Sequence, residues 1–144
     1  MDKKSVLVID DDQDVLDLVS AILDAEGYEV EVVATEDEVL ERLTGGAQYD
    51  LIVTDVWMPW MSGLQVAHFA HVAGHTTPIL FMSGFADPSL EQRVRIFGDD
   101  TKLLRKPFDA DTLLGAVDDL VYPEQKRQPR KASRSRSASS RSGS

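Results

Sequence analysis

The sequence predicts an α/β fold in which a parallel sheet is covered by helices on both sides. Short runs of β-branched and apolar residues alternate with segments of helical periodicity along the chain. Each predicted helix has one apolar face to lay on a sheet, and this alternation favours right-handed crossovers between parallel strands. With 144 residues, the chain is long enough for one domain with a sizeable core.

Five strands are predicted, each a short run rich in apolar or β-branched residues. Their ranges are 5–9, 28–33, 51–54, 78–82 and 102–104. The second of these runs alternates polar and apolar residues, which predicts an element with one wetter face.

Five helices are predicted from apolar residues that recur on one helical face. They run from residue 13 to a stop at Gly27, then over 36–43, 64–72, 88–97 and 109–121. Thr35 and Glu38 have the spacing of a capping box, which predicts where the second helix begins. Asp87 before Pro88 predicts a capped start for the fourth helix.

The charge of the chain is divided between an acidic domain and a basic tail. Residues 1–122 hold 24 acidic and 8 basic residues, a net charge of −16. Residues 123–144 hold 1 acidic and 7 basic residues, a net charge of +6, and contain no Leu, Ile, Val, Phe, Met or Trp. We therefore expect a folded domain over 1–122 and a disordered tail over 123–144. The acidic domain repels phosphates, which leaves only weak nucleic-acid binding through the tail.

Cysteine and long apolar segments are both absent from the sequence. Without cysteine there is no disulfide, thiolate metal site or cysteine nucleophile. No stretch has the length of a membrane span, and the N-terminus lacks the apolar core of a signal peptide. The expectation is a cytoplasmic protein without membrane contacts.

Chemically informative residues stand at the ends of the predicted strands, where ligands bind in open parallel sheets. Asp10 and Asp11 follow the first strand, and Asp55 ends the third. Three carboxylates brought together repel one another unless a cation lies among them, and magnesium suits such oxygen ligands. Ser83 and Lys106, at the ends of the fourth and fifth strands, complete a shell for the oxygens of a phosphoryl group. The set indicates phosphoryl chemistry on an aspartate.

Four motifs, taken together and in order, resemble the receiver domain of bacterial two-component response regulators over about residues 4–122. They are the acidic pair Asp10 and Asp11, the pattern D-x-x-M-P-x-M-x-G from Asp55 to Gly63, Ser83 with Gly84, and K-P-F at 106–108. The resemblance implies a flavodoxin-like (βα)5 three-layer sandwich whose five parallel strands have the order 2-1-3-4-5.

The resemblance also implies the metal site and the residue that is modified. Asp55 matches the phosphoacceptor of the family, and Asp10 and Asp11 match the acidic pair that holds Mg2+. Asp55 and the backbone carbonyl of Trp57 would be the further ligands of the ion.

Other family positions are implied for the anion shell and the switch. Ser83 matches the hydroxyl that turns toward the phosphoryl group, and Lys106 matches the lysine that pairs with it. Pro107 matches a proline that follows a cis peptide bond in the family. Leu103 stands where the family usually has an aromatic residue that changes rotamer on activation, so this chain departs from the pattern there.

Trp57 and Phe85 lie two residues after Asp55 and Ser83, at places that influence water access to the phosphoaspartate in the family. We hypothesise that these two bulky apolar groups slow hydrolysis of the phosphorylated state.

The function implied by the resemblance is that of a switch, not of an enzyme with a separate substrate. A sensor histidine kinase or a histidine phosphotransfer protein would donate the phosphoryl group. A downstream protein would bind the 87–121 surface. Catalysis would be limited to Mg2+-dependent self-phosphorylation and self-dephosphorylation.

Two rival interpretations concern the site, and a third concerns the tail. A phosphatase of the haloacid-dehalogenase type places its nucleophile at the end of the first strand in a D-x-D-x-[TV] pattern. Asp10 and Asp12 fit that spacing, but Asp14 stands where Thr or Val is needed, and the chain is short for that fold. A phosphate-independent interaction module is disfavoured because the site is complete, and the third rival is a nucleic-acid binder that acts through its tail.

Histidine and tryptophan residues outside these motifs have ordinary alternatives. His68, His71 and His75 could suggest a metal site, but no nearby acid or cysteine completes the set, so ordinary surface histidines are favoured. Trp60 fits a partner anchor and packing over its own loop about equally well.

Overall fold

Five parallel strands form a single sheet in the computed structural model, which describes residues 3–85 and 87–125. The strands are β1 (Ser5–Ile9), β2 (Glu29–Val33), β3 (Leu51–Asp55), β4 (Ile79–Ser83) and β5 (Thr101–Arg105). Their order is β2-β1-β3-β4-β5, which confirms the predicted 2-1-3-4-5 topology. The edge strand β2 exposes most of its residues, as its alternating sequence predicts.

Helices cover both faces of the sheet, so the fold has three layers. They are α1 (Gln13–Ala25), α2 (Glu36–Thr44), α3 (Gly63–Val72), α4 (Leu90–Arg95) and α5 (Ala110–Val121). One core cluster joins α1 and α5 to the sheet, and a second joins α2, α3 and α4 to its other face. We call the second of these the α3 core. Because side chains alternate along a strand, Val6 and Val8 enter the first cluster while Leu7 and Ile9 enter the α3 core.

The register of the sheet brings the carboxyl ends of four strands to one level. Ile9 pairs with Thr54, Asp55 pairs with Met82, and Ser83 pairs with Arg105. The polar residues that end these strands therefore share one edge, as the sequence predicts.

Helix starts follow the capping chemistry of the sequence, with one shift. Asp12 caps α1 by accepting a hydrogen bond from the backbone N–H of Asp14, at 3.0 Å. Thr35 caps α2 by accepting from the N–H of Glu38, but the Glu38 carboxylate accepts from Ala34, one residue earlier than in a capping box. A complete capping box, which was not predicted from the sequence, joins Ser62 and Gln65 at the start of α3.

The fourth helix is shorter than predicted, because α4 spans Leu90–Arg95 instead of 88–97. Its N-cap is Ser89, which makes no capping side-chain bond. The Asp87 carboxylate instead accepts hydrogen bonds from the backbone N–H of Ser89 at 3.0 Å and from its hydroxyl at 2.9 Å. Such a local side-chain bond stabilises a turn, and this turn delays the start of the helix.

The prediction that all three histidines are ordinary surface residues is wrong for His75. Its ring is buried, and Nε2 lies 2.7 Å from the carbonyl oxygen of Leu43 near the end of α2. His68 and His71 are exposed on α3, and no His takes part in a cluster of possible metal ligands within the described part of the chain.

The predicted tail lies almost wholly outside the described residues. Its first residues, Pro123–Gln125, form a single 3₁₀ turn after α5, and residues 126–144 are not described. Within the described ranges, no helix combines the length and the apolar character that crossing a membrane requires.

Gly63 is expected to be essential for the loop between β3 and α3. A Cβ atom at Gly63 would lie 2.4 Å from the backbone oxygen of Asp55, whereas a Cβ at Gly115 in α5 would meet nothing within 4 Å. We expect Gly63→Ala to lower the free energy of unfolding by about 1–3 kcal/mol through overpacking. The control Gly115→Ala should raise it by about 0.5–1 kcal/mol, because alanine favours helix. Urea unfolding measures both, and a Gly63→Ala protein as stable as the wild type would contradict the packing argument.

Candidate functional site

Three carboxylates converge where β1 and β3 end. Asp10 directly follows β1 and Asp55 is the last residue of β3, and both are buried. Asp11 is exposed beside them. One carboxylate oxygen from each of the three residues lies within 4.8 Å of the other two. Within the described residues, these three acids are the group that could hold a metal ion. The structure thus brings together the three acids that the sequence predicts as metal ligands.

Lys106 reaches this cluster from the end of β5. Its Nζ lies 2.8 Å from Oδ1 of Asp55 and 3.0 Å from Oδ2 of Asp10. The backbone N–H of Lys106 donates to the carbonyl oxygen of Ser83 at 2.8 Å, which fixes the start of the loop to the end of β4. The Lys106–Pro107 peptide bond is cis, as the resemblance implies.

The electrostatics of the site favour an added cation. Burial raises the pKa of Asp55 above its ordinary value of 3.8, and the nearby charge of Asp11 raises this pKa further. The Lys106 ammonium lowers the same pKa, but by less than burial raises it. Burial raises the pKa of Asp10 in the same way. Burial lowers the pKa of Lys106, but its bonds to Asp55 and Asp10 outweigh this, so the pKa ends above 10.5. One lysine cannot offset three negative charges, and a divalent cation among the carboxylates would complete the balance.

Asp55→Asn is expected to raise the free energy of unfolding in metal-free buffer at pH 7. Because the folded-state pKa of Asp55 lies above 3.8, ionising Asp55 costs stability as the pH rises through that pKa. The gain from the substitution should therefore shrink as the pH falls through the folded-state pKa, and it should vanish at pH values below 3.8, where the carboxyl is protonated in both states. Mg2+ should stabilise the wild type more than the variant, because an ion that binds only the folded state shifts the unfolding equilibrium.

Urea unfolding at pH 4.5 and pH 7, with and without MgCl2, checks this expectation. Asp119→Asn is the matched control, because it removes the same charge from a residue that pairs with Lys102 at 3.3 Å, away from the carboxylate cluster. A wild type that gains no more from Mg2+ than Asp55→Asn does would contradict the assignment of Asp55 to a metal site.

The hydroxyl of Ser83 bonds to the backbone of Phe85. Oγ accepts from the N–H of Phe85 at 3.1 Å and donates to its carbonyl oxygen at 3.2 Å. Nη1 of Arg105 also donates to that carbonyl, at 3.4 Å. The sequence predicts Ser83 at the strand end, but this turn was not predicted from it. The tendency of Ser to bond the backbone two residues ahead was the available signal.

An aromatic pair lies beside the carboxylate cluster. The backbone N–H of Trp57 lowers the pKa of the Asp55 carboxyl, against the larger raising effect of burial. The Trp57 and Phe85 rings meet edge to face, with centroids 6.3 Å apart and planes at 82°. The Arg93 guanidinium carbon lies 6.0 Å from the centre of the Trp57 ring. Trp57 and Phe85 are 39% and 65% exposed, so the pair forms a partly open wall next to Asp55.

Leu103 and Trp60 pack against the α3 core, unlike the partly exposed pair of Trp57 and Phe85. Leu103 is half-buried and packs against the α3 core, so no aromatic ring occupies the place implied for the family switch. Trp60 packs against the same core cluster, which supports the loop-packing interpretation of this residue.

The fold and the site define a receiver, and comparison with known proteins agrees. A family model described as the response regulator receiver domain matches residues 6–118. The chain therefore belongs to the response regulator receiver domain family. The family match favours a receiver over a haloacid-dehalogenase phosphatase.

Several curated proteins are similar to this chain. It is 32% identical over 112 residues to the transcriptional regulatory protein DltR of Streptococcus agalactiae, covering 78% of this chain and 49% of DltR. It is 35% identical over 118 residues to the response regulator protein TodT of Pseudomonas putida, covering 81% of this chain and 51% of TodT. The chain spans about half the length of these curated relatives.

Solved receiver structures share the architecture. Chemotaxis protein CheY4 of Vibrio cholerae matches with a TM-score of 0.74 at 32% identity, covering 83% of this chain and 99% of CheY4. A CheY-like receiver domain protein of Methanospirillum hungatei matches with a TM-score of 0.77 at 28% identity, and the match covers 88% of this chain and 100% of the Methanospirillum chain.

Proposed function

We propose that this receiver domain accepts a phosphoryl group on Asp55. The observation that carries the proposal is the position of Lys106, whose ammonium contacts both Asp55 and Asp10 at the edge of a three-carboxylate cluster. A carboxylate nucleophile, a metal-binding acidic pair and a cation for the incoming oxygens are the parts that phosphoryl transfer to an aspartate needs.

The donor set of the cluster suits Mg2+. Asp10, Asp11 and Asp55 would hold the ion, with the backbone carbonyl of Trp57 as a further ligand. When bound, the ion would neutralise charge on the phosphoryl oxygens. Hard carboxylate and carbonyl oxygens, without nitrogen or sulfur ligands, are the set that magnesium prefers.

In the proposed reaction, a carboxylate oxygen of Asp55 attacks the phosphorus of a phosphohistidine. The bond from phosphorus to the histidine nitrogen breaks as the bond to Asp55 forms, and the nitrogen takes a proton. The Lys106 ammonium stabilises the negative charge on the transferred phosphoryl group. It becomes available for this contact because Asp55 loses its own charge when it forms the acyl phosphate. Hydrolysis of the acyl phosphate by water would regenerate the Asp55 carboxylate. The domain would therefore catalyse only its own phosphorylation and dephosphorylation.

The phosphoryl donor would be a sensor histidine kinase or a histidine phosphotransfer protein. On phosphorylation, Ser83 would exchange its bonds to Phe85 for the phosphoryl group and so displace the β4–α4 loop. A downstream protein would then bind the surface of residues 87–121. A phosphate-independent interaction module is less well supported, because three carboxylates and the Lys106 ammonium lie together at one edge of the sheet.

The proposal is tested by locating the phosphoryl adduct. The full chain is incubated with acetyl phosphate and MgCl2, and peptide mass mapping then finds the modified residue. We expect an acid-stable, alkali-labile adduct on Asp55 that is absent in Asp55→Asn and unchanged in the control Asp119→Asn. An adduct on Asp10 would instead support the phosphatase interpretation, and an adduct that survives Asp55→Asn would refute the site.

A further inference from the structure

Trp57 is a partly exposed aromatic residue whose ring contacts side chains from two other segments of the fold. It lies two residues after the end of β3 and is 39% exposed, so much of its ring lies outside the core. The ring meets Phe85 edge to face, with centroids 6.3 Å apart. From α4, the guanidinium carbon of Arg93 lies 6.0 Å from the ring centre, a distance at which a guanidinium is attracted to an indole ring. The ring is therefore restrained by one residue of the β4–α4 loop and by one residue of α4.

The position of Arg93 is set by its helix and by one carboxylate. Buried residues on either side of Arg93 anchor α4 to the core. Nη1 of Arg93 lies 3.6 Å from Oδ2 of Asp87, and the Asp87 carboxylate in turn accepts hydrogen bonds from the backbone N–H and the hydroxyl of Ser89. The positive charge of Arg93 is thus already paired within the domain, and its further contact is with the Trp57 ring.

The two halves of the aromatic wall, Trp57 and Phe85, are held in different ways. Both backbone groups of Phe85 bond to the hydroxyl of Ser83. In the proposed phosphorylated state, Ser83 would turn to the phosphoryl group, and Phe85 would lose both of these bonds. The contact between Arg93 and Trp57 does not involve Ser83, so it would remain. Trp57 would then be the half of the wall that stays in place next to Asp55.

We propose that Arg93 is a positioning residue for the lifetime of the phosphoryl group. It holds the Trp57 ring beside Asp55 and so limits the access of water to the acyl phosphate. The inference rests on the proposed phosphorylation of Asp55 and adds to it a residue from another element, α4. Because Arg93 lies within the proposed 87–121 surface, the binding of a partner there and hydrolysis at Asp55 would be coupled.

The lifetime of the Asp55 adduct in the full chain tests this role. The adduct is formed with acetyl phosphate and MgCl2, the donor is removed rapidly, and the remaining adduct is followed with time. We expect Arg93→Ala to shorten the lifetime by about two- to fivefold, the factor that corresponds to the loss of an exposed cation–π contact. The matched control Arg95→Ala should leave the lifetime unchanged, because two residues along a helix turn the side chain by about 200°.

A double-mutant cycle separates this role from a general effect of α4 on the site. If Arg93 acts through Trp57, Arg93→Ala should shorten the lifetime in the wild-type background but not in the Trp57→Ala background. A through-space effect of the lost charge, or a loosened α4, would appear in both backgrounds. An equal loss in the two backgrounds would therefore overturn the inference.

The contact itself is checked in the unphosphorylated chain. Arg93→Ala should shift the indole N–H resonance of Trp57 and leave that of Trp60 in place, and Arg95→Ala should move neither. An unchanged Trp57 resonance in Arg93→Ala would overturn the inference. Circular dichroism of each variant shows that the fold is kept.

Failure of this inference can be told apart from failure of the proposed function. A wild type that forms no adduct on Asp55 would refute both together. A wild type that forms the adduct, with a lifetime that is the same in Arg93→Ala, would overturn the role of Arg93 alone.

Discussion

Lys106→Ala is expected to slow phosphoryl transfer to Asp55 by about 10²–10³-fold, the loss seen when one preorganised donor to a developing anion is removed. The reason is geometric, because the Lys106 ammonium lies 2.8 Å from the Asp55 carboxylate before any phosphate arrives. The side chain is also only partly exposed, so water would replace it poorly. The initial rate of adduct formation with acetyl phosphate and MgCl2 measures the effect.

Lys102→Ala provides the matched control for this prediction. Lys102 lies on β5, which ends one residue before Lys106. It pairs with Asp119 at 3.3 Å, away from the cluster, so its loss should leave the rate unchanged. Lys106→Arg keeps the charge and tests whether a bulkier cation can act at the same place. A Lys106→Ala protein that is folded and reacts at the wild-type rate would show that the ammonium has no part in the transfer.

A double variant, Trp57→Ala with Phe85→Ala, is expected to shorten the lifetime of the phosphorylated state by about tenfold, which corresponds to a barrier lower by about 1.4 kcal/mol. The two rings meet beside Asp55 and form an apolar wall, so their removal should give water easier access to the acyl phosphate. Loss of the phosphoryl adduct after rapid removal of acetyl phosphate gives the lifetime directly.

Trp60→Ala is the control for this lifetime. Trp60 is in the same loop as Trp57 but packs against the α3 core, so it should affect stability more than hydrolysis. Single variants would show which ring limits water access. A double variant with an unchanged or longer lifetime would reject the hypothesis that these bulky groups slow hydrolysis.

Strand positions and strand ends could be predicted because they depend on local pattern. The β-branched runs that form β1 and β3 must be buried on both faces, and parallel strands necessarily place Asp10, Asp55 and Ser83 at one edge. The convergence of carboxylates and Lys106 follows from that topology. Their distances follow from the register, which the sequence does not specify.

The features that the sequence did not predict depend on three-dimensional packing or on competing local bonds. The burial of His75 depends on how α3 ends against Leu43, more than thirty residues away in the chain. The late start of α4 results from competition between a helical turn and the bonds of Asp87 to Ser89. The exposed wall of Trp57 and Phe85 arises because two loops from neighbouring strands meet at the same sheet edge.

The shortness of α4 has a consequence for how the domain opens. This helix spans only Leu90–Arg95 and has no capping side-chain bond at its start. Leu90 and Val94 are its two buried residues, and they alone anchor it to the core. Local unfolding of such an element costs much less free energy than global unfolding. Its amide hydrogens should therefore exchange with solvent sooner than those of β1 and β3. A partner that docks beside α4 would then be detected first as slower hydrogen exchange in that one helix.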